Sequence, residues 1–424
     1  MLRSLGLAAA AMLSSCAAPE ATLGEVETVP DLARVGAHTS FLASDSMEGR
    51  GAGYAGEKRS AEYIAQEFRN AGLAAPKGGY IRKFDFLPIG GAEPFKTLTA
   101  HNVVGILRGS SRSNEFVVLG AHYDGQGKIG QADAGRFGLK SAGDDKIWNS
   151  ASDNAVSIGA MIEIARAIAG GPRPARTIIF VAFSGEENRL NGSFDYTQNP
   201  IKPLSTHVAM INLEKLVGHE ETTFILASDG SSPKFADFAR AASSSSGLNV
   251  ASFYDGVITD TDHFPFIAAG VPALVIGTGA YEKIHHADDE IETLRLQDLP
   301  QRIAYVSAFL KELANDDSGV LFAADTAEFS GVAGGPTTDE ETRICELDSP
   351  GFLVTALASG LPGASTSLNI GDVIVSVDGN PIRFSEDGAN FLEDAAQLGG
   401  NSSLEIKCGV KSSTSTITMP KKAD

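Results

Sequence analysis

Positive charge is scarce in this chain of 424 residues. Its 34 Lys and Arg stand against 53 Asp and Glu, a formal net charge of −19. A protein that grips phosphates needs a basic face, so nucleic acid is excluded as a partner. A polybasic hold on anionic lipid is excluded for the same reason. Cysteine is also rare, with Cys16, Cys345 and Cys408 the only three. None of them forms a Cys-x-x-Cys pair, which argues against a thiolate metal site or a redox motif. Cys345 and Cys408 are left as either a disulfide, if the protein is exported, or two buried thiols. Long apolar runs are missing. The most apolar stretch near the start, residues 5–13, is too short to span a bilayer.

That short run has another reading. It follows a basic start, Met1-Leu2-Arg3, and closes in Leu13-Ser14-Ser15-Cys16. This arrangement resembles the bacterial lipobox. The resemblance implies a signal peptide over residues 1–16, lipidation of Cys16 and membrane attachment through lipid alone. The expected location is the bacterial cell envelope, facing the periplasm from the outer membrane. Residues 17–35, rich in Ala, Glu, Thr and Pro, read as a tether.

The rest has ordinary globular composition, with 43% hydrophobic and 21% charged residues. Its length suits two domains. Residues 57–72 carry helical spacing, with Ala61, Ile64, Phe68 and Leu73 on one face. Four runs are apolar throughout, as strands buried on both faces are: 116–122, 177–183, 208–213 and 272–279. A helical segment at 157–170 lies between two of them. Alternating strands and helices predict an α/β fold with a mostly parallel, mixed central sheet flanked by helices, over residues 36–315. The acidic, Gly/Thr-rich stretch 316–340 reads as a linker. A small β-rich domain is expected over 341–420.

Chemistry-bearing residues gather at the ends of the strand-like runs. The first ends at His122, with Asp124 two residues on. The second leads to Glu186-Glu187, the third to Glu214, and the fourth to a loop with His285-His286-Ala287-Asp288-Asp289. Asp153 precedes the helix. Ligands of open α/β sheets sit beyond the carboxyl ends of the strands, so these groups are expected to share one crevice. Two histidines and three carboxylates suit one zinc or a pair sharing a carboxylate, with a further carboxylate as proton acceptor. The bland readings are a solvated loop for Asp288-Asp289, and ordinary surface or core roles for His286 and His101.

These segments resemble the two-zinc exopeptidase family that includes secreted leucine aminopeptidases, glutamate carboxypeptidase and glutaminyl cyclase. The matching stretches include GAHYDG (120–125), SDNAVSIGAMIEIAR (152–166), FVAFSGEENRLNGS (180–193), MINLE (210–214), DHFPFIAAGVPALVIGTG (262–279) and IHHADDEIETL (284–294). The resemblance implies two zincs held by His122, Asp153, Glu187, Glu214 and His285, with Asp153 bridging. It makes Glu186 the general base and Asp124 the residue that orients His122. It also implies a cis peptide bond between Asp153 and Asn154, and a structural role for Asp262-His263 in the pocket wall. Peptides are the implied substrates, cut from the amino end.

The departures open alternatives. Glu214 stands where the family usually has Asp. Lys215 follows where an apolar residue is usual, and it offers a cation to a substrate carboxylate. Ile284 replaces a Tyr that supports the oxyanion, leaving Tyr254 or Tyr281 as substitutes. Carboxypeptidase, dipeptidase or glutaminyl cyclase activity on the same fold is therefore an alternative. Another is an impaired enzyme that works as an envelope binding protein.

Residues 349–382 resemble a bacterial PDZ domain, most specifically in Gly371-Asp372-Val373-Ile374 and Val377-Asp378-Gly379. The resemblance implies capture of a C-terminal peptide by strand addition, in a groove at Gly351, Phe352, Leu353 and Val354.

Overall fold

In the computed structural model, the described residues are 29–90, 93–131, 145–254, 256–279, 283–326, 329–383, 387–398, 400–408 and 413–419. The chain enters through α1 (Leu32–Leu42), a 3-10 turn and α2 (Ala55–Asn70). The helical stripe of Ala61, Ile64 and Phe68 is buried to the last atom, because a 3.6-residue period brings these three onto one face.

An eight-stranded sheet follows. Its strands are β1 (Ile81–Phe86), β2 (Leu98–Leu107), β3 (Arg112–His122), β6 (Arg176–Phe183), β7 (His207–Glu214), β8 (Phe224–Ala227), β9 (Ala251–Tyr254) and β10 (Ala273–Thr278). A short ribbon of β4 (Gly127–Lys128) and β5 (Ile147–Trp148) lies between β3 and β6 in sequence. The spatial order is β1-β2-β6-β3-β7-β10-β8-β9. The four central strands, β6, β3, β7 and β10, run parallel, while β1, β2 and β8 pair antiparallel. Every residue of β6 and β10 is buried. The pleat sends alternate side chains to opposite faces. In β6, Ile178, Phe180 and Ala182 enter one core, and Ile179, Val181 and Phe183 the other.

The first core is closed by α1, α2, α3 (Val156–Gly170), α5 (Phe235–Ser246) and α7 (Leu299–Asn315). The second is closed by α4 (Asn191–Gln198) and α6 (Phe264–Ala268). Because the central strands are parallel, their carboxyl ends share one edge of the sheet. That edge is where His122, Glu214 and the segments after β6 and β10 emerge.

The C-terminal part builds a separate sheet from β11 (Val332–Pro336), β12 (Phe352–Leu357), β13 (Val373–Val377), β14 (Asn380–Pro381), β15 (Gly400–Lys407) and β16 (Ser413–Met419). Two helices accompany it, α8 (Asp339–Ile344) and α9 (Asp387–Leu398). Cys345, at the end of α8, is disulfide-bonded to Cys408 beside β15, which decides between the two states left open for these thiols.

Two expectations need correction here. Residues 316–340 do not remain a linker, since their second half forms β11 and the start of α8. Gly334 belongs in a strand because a Cβ there would lie 2.1 Å from the Leu353 carbonyl oxygen, so only glycine permits this close approach of two strands. Thr338 and Glu341 cap α8 reciprocally. The strand addition expected at Gly351–Val354 finds no open edge there. Those residues belong to β12 or adjoin it, and β12 is paired with β11 on one side and β13 on the other. A strand hydrogen-bonded on both edges cannot accept a third. Among the described residues the end strands of this sheet are β11 and β16.

The two parts are packed together. Leu190, Phe194, Phe264 and Ala268 of the large part form one apolar cluster with Ala356, Ala358 and Leu361. Leu87 joins Cys345, Leu353 and Val373 in another.

Candidate metal centre and crevice

Two triads of ligand atoms form at the carboxyl edge of the sheet. His122, Asp153 and Glu214 have one donor atom each within 4.8 Å of one another, and so do Asp153, Glu187 and His285. Asp153 belongs to both. His122 Nε2 lies 3.2 Å from Asp153 Oδ1 and 3.3 Å from Glu214 Oε1. His285 Nε2 lies 3.3 Å from Asp153 Oδ2 and 3.4 Å from Glu187 Oε2. The two oxygens of one carboxylate thus face opposite triads. Glu186 is in neither, but its Oε2 stands 3.9 Å from His122 Nε2.

Local structure explains the placement. His122 and Glu214 are the last residues of neighbouring parallel strands, β3 and β7. Asp153 sits on the turn just before α3, where the Asp153–Asn154 peptide bond is cis. Asn154 then spans to β7, donating to the Leu213 carbonyl and accepting from the Lys215 amide. Asp124 faces His122 Nδ1 at 3.6 Å and accepts from the amides of both Glu186 and Glu187, so one buried carboxylate steers three site residues.

The donor set is short of positive charge. Burial alone would lower the pKa of His122, yet the carboxylates of Glu186, Glu214, Asp124 and Asp153 raise it well above its usual value. For His285 the pull of burial is overcome by Glu187 and Asp153, and its pKa rises to about 11. Burial pushes Glu186 well above the usual carboxylate range, with Glu214 and Glu187 adding to it against the opposing His122. Asp153 is held low, as Lys215, His122 and His285 outweigh its burial. Buried carboxylates in such excess call for cations. Nitrogen and oxygen donors in two triads sharing one carboxylate suit a pair of divalent ions.

Buried polar groups surround the ligands, some of them not singled out from the sequence. Asp289, read as half of a solvated loop, is buried and accepts from the backbone amides of Ser152 and Asp153. His219 Nε2 lies 2.6 Å from its Oδ1. Its neighbour Asp288 is the solvated member. The two acids cannot be told apart from sequence, because burial depends on the approach of residues 150–153. Gln126 donates to Glu187. Asp262 is buried and accepts from Ser193 Oγ at 2.5 Å; burial lifts its pKa to about 7 against the pull of His122. His101 is paired with Glu57 inside the core, away from the metal ligands.

The remaining candidates separate clearly. Lys215 Nζ is 2.8 Å from Glu214 Oε1 and lines the crevice over the site, as does Ile284. Tyr254, at the end of β9, is 49% exposed and lines a neighbouring hollow beside Gly256, not the metal crevice, so it does not take the place of the missing Tyr. Tyr281 and Cys16 lie outside the described residues. The crevice has a volume of about 460 Å³. Its walls come from both parts of the chain, Asp153, Glu187, Glu214 and His285 from the large part and Ser330–Gly334, Phe352 and Glu393 from the C-terminal part.

Comparison with known proteins agrees with this picture. Residues 102–310 match the profile of peptidase family M28, a family of hydrolases. A probable zinc metalloprotease of Leptosphaeria maculans is 27% identical over 292 residues, which cover 60% of this chain and 62% of that protein. The chain thus spans about three fifths of the length of that relative. Among solved structures, a zinc aminopeptidase from Bacillus subtilis superposes with a TM-score of 0.55 at 18% identity, over 70% of this chain and 100% of that one. Porphyromonas gingivalis glutaminyl cyclase gives 0.54 at 17% identity, over 67% and 99%. Both share the mixed α/β fold.

Proposed function

We propose that this chain, whose residues 102–310 match the profile of peptidase family M28, is a zinc-dependent exopeptidase that removes residues from the amino end of peptides. One observation carries the reading: two ligand triads share Asp153, and the carboxylate of Glu186 stands beside them, outside both. His122, Asp153 and Glu214 would hold one zinc, and Asp153, Glu187 and His285 a second. Zinc there supplies Lewis acidity to the scissile carbonyl and lowers the pKa of water.

The chain's own residues do the rest. Glu186 takes the proton from the attacking water at Oε2 and delivers it to the leaving amine. Its raised pKa, caused first by burial, suits a group that must hold a proton between these steps. Asp124 keeps Glu186 in place through its amide and fixes the ring of His122. Acidic side chains outnumber basic ones on the crevice wall, which favours a substrate bearing a free ammonium group.

Lys215 favours a second reading. Its ammonium lies within the same crevice, which suits a substrate carboxylate near the scissile bond, and hence a carboxypeptidase or dipeptidase. Glu214 in place of the usual Asp keeps glutaminyl cyclization in view. The disulfide and the lipobox support an exported, lipid-anchored protein in the bacterial envelope. The C-terminal domain is read as a PDZ-like module. The test is zinc content together with turnover of aminoacyl and N-blocked peptides, beside Glu186→Gln. Cleavage of free-amine substrates alone, lost in the variant, supports the aminopeptidase. Cleavage of blocked peptides alone supports the second reading, and no zinc with no turnover refutes both.

A further inference from the structure

We infer that Arg50 is a positioning residue for the metal centre: its guanidinium fixes the spacing between the strand end that carries His122 and the turn that carries Asp153. The inference rests on the zinc reading above and specifies how the ligands are held. Arg50 is buried to the last atom. Its Nε donates to the Tyr123 carbonyl at 2.6 Å, and Tyr123 stands between the ligand His122 and Asp124. Its Nη1 donates to the Asn149 carbonyl at 2.7 Å and its Nη2 to the Ser150 carbonyl at 2.9 Å, on the chain leading into Asp153. Nη1 also donates to the carbonyl of Leu42, the last residue of α1, at 2.6 Å. A guanidinium is a planar, rigid fork, so carbonyls bound to one of them keep fixed separations. A lysine ammonium, a point charge on a flexible stem, does not reproduce that span.

A buried cation is costly unless it is compensated. Burial lowers the pKa of Arg50 to about 10, opposed by the carboxylates of Asp124, Asp289, Glu187 and Asp153, so the group stays charged at neutral pH. The backbone around it is held as firmly. Glu48, Gly49 and Arg50 have left-handed φ angles of 53°, 65° and 54°. Non-glycine residues keep such angles only where their surroundings impose them. Gly49 is wedged against β4 and β5, since a Cβ there would lie 2.1 Å from the Gly127 oxygen and 2.6 Å from the Trp148 oxygen. A second tie comes from the same N-terminal segment. Glu57 is fully buried and accepts from the Tyr123 hydroxyl and, at 2.9 Å, from the His101 amide. Tyr123 is thus held through its carbonyl by Arg50 and through its hydroxyl by Glu57. Arg50 likewise holds the carbonyls of residues 149 and 150, while Asp289 holds the amides of 152 and 153, so the turn into Asp153 is fixed at both ends.

The full-length protein tests this as Arg50→Lys beside Leu313→Ala. Leu313 is buried on α7 and its carbonyl accepts from Arg176 at the start of β6, the end of the sheet opposite the ligands, so its loss weakens the fold without touching the centre. Zinc affinity is read by competition with a chromogenic chelator. It is expected to fall about 10–100-fold in Arg50→Lys and to stay at the parental value in Leu313→Ala. Cobalt(II) loaded in place of zinc reports ligand geometry, and its visible absorption should change in Arg50→Lys alone. Should Arg50→Lys fail to fold, Gly125→Ala is the second variant. It keeps Arg50, but the new methyl would stand 2.7 Å from Ser150 Oγ and 2.8 Å from the Gly49 oxygen, forcing the same segments apart. A similar loss of zinc affinity and a similar change with cobalt are then expected. Parental affinity and absorption in the folded variant, or equal changes in Leu313→Ala, overturn this inference and leave the zinc reading standing. A parent chain that binds neither ion overturns both.

Discussion

The two triads that share Asp153 are built differently. His122 and Glu214 end adjacent parallel strands in the middle of the sheet, and both are buried. Glu187 and His285 come from segments after strand ends, and the His285 side chain is 25% exposed at a left-handed φ of 58°. The first triad takes its geometry from the sheet ladder. The second depends on loops and opens to the crevice. A centre made this way draws one ligand set from the strand ladder and the other from loops, while Glu214, Glu187 and His285 all line the crevice.

The strongest challenge to this contrast is the residue common to both halves. Asp153→Ala should leave neither triad complete, so zinc content falls below one per chain and turnover is lost, as read by metal analysis and peptide hydrolysis. Glu186→Gln separates chemistry from metal holding. Activity should fall by about 10²- to 10⁴-fold, with zinc content unchanged. Asymmetry between the halves is tested directly by His285→Ala against His122→Ala. The former should retain one tightly held zinc and a near-normal melting temperature. The latter leaves carboxylates buried without their imidazole partner, so it should melt lower even after chelation. Equal behaviour of the two would remove the distinction.

Asp289→Asn probes a residue that touches no proposed metal yet holds the amides before and at Asp153. A loss of about 10–100-fold in zinc affinity is expected, seen in competition with a chromogenic chelator. The smallest effect lies on α3, which follows Asp153. Burial raises the pKa of Glu163, but hydrogen bonds from His38, Arg34 and Arg166 prevail and hold it at about 2, against an ordinary 4.5. A depressed carboxylate stabilises the fold above its unfolded value, and that contribution fades as pH drops from about 4.5 toward 2. Glu163→Gln should therefore be less stable than the parent at pH 7, with the deficit shrinking across that window in urea melts.

Much of this was legible from the chain. Apolar runs without alternation marked the four central strands, because a strand covered on both faces has no polar side to show. Ligand residues stood at the ends of those runs, where a parallel sheet must bring them to one edge. Residues 316–340 were misread for the opposite reason. Their Gly, Thr and acidic residues look like a linker, and only the nearness of Leu353 reveals why Gly334 belongs in a strand. That Gly351–Val354 offer no open strand edge was hidden because strand order in a sheet is not written in any local pattern.

By itself, then, the sequence determined local periodicity, the class of fold and the chemical identity of the candidate ligands, since these follow from side-chain type and spacing. Tertiary structure alone decided which ligands share Asp153, that Asp289 is buried while Asp288 is not, that Tyr254 faces away, and that β11 walls the crevice. Each of these depends on contacts between segments dozens to hundreds of residues apart, whose approach is set by packing of two cores and not by any stretch of neighbouring residues.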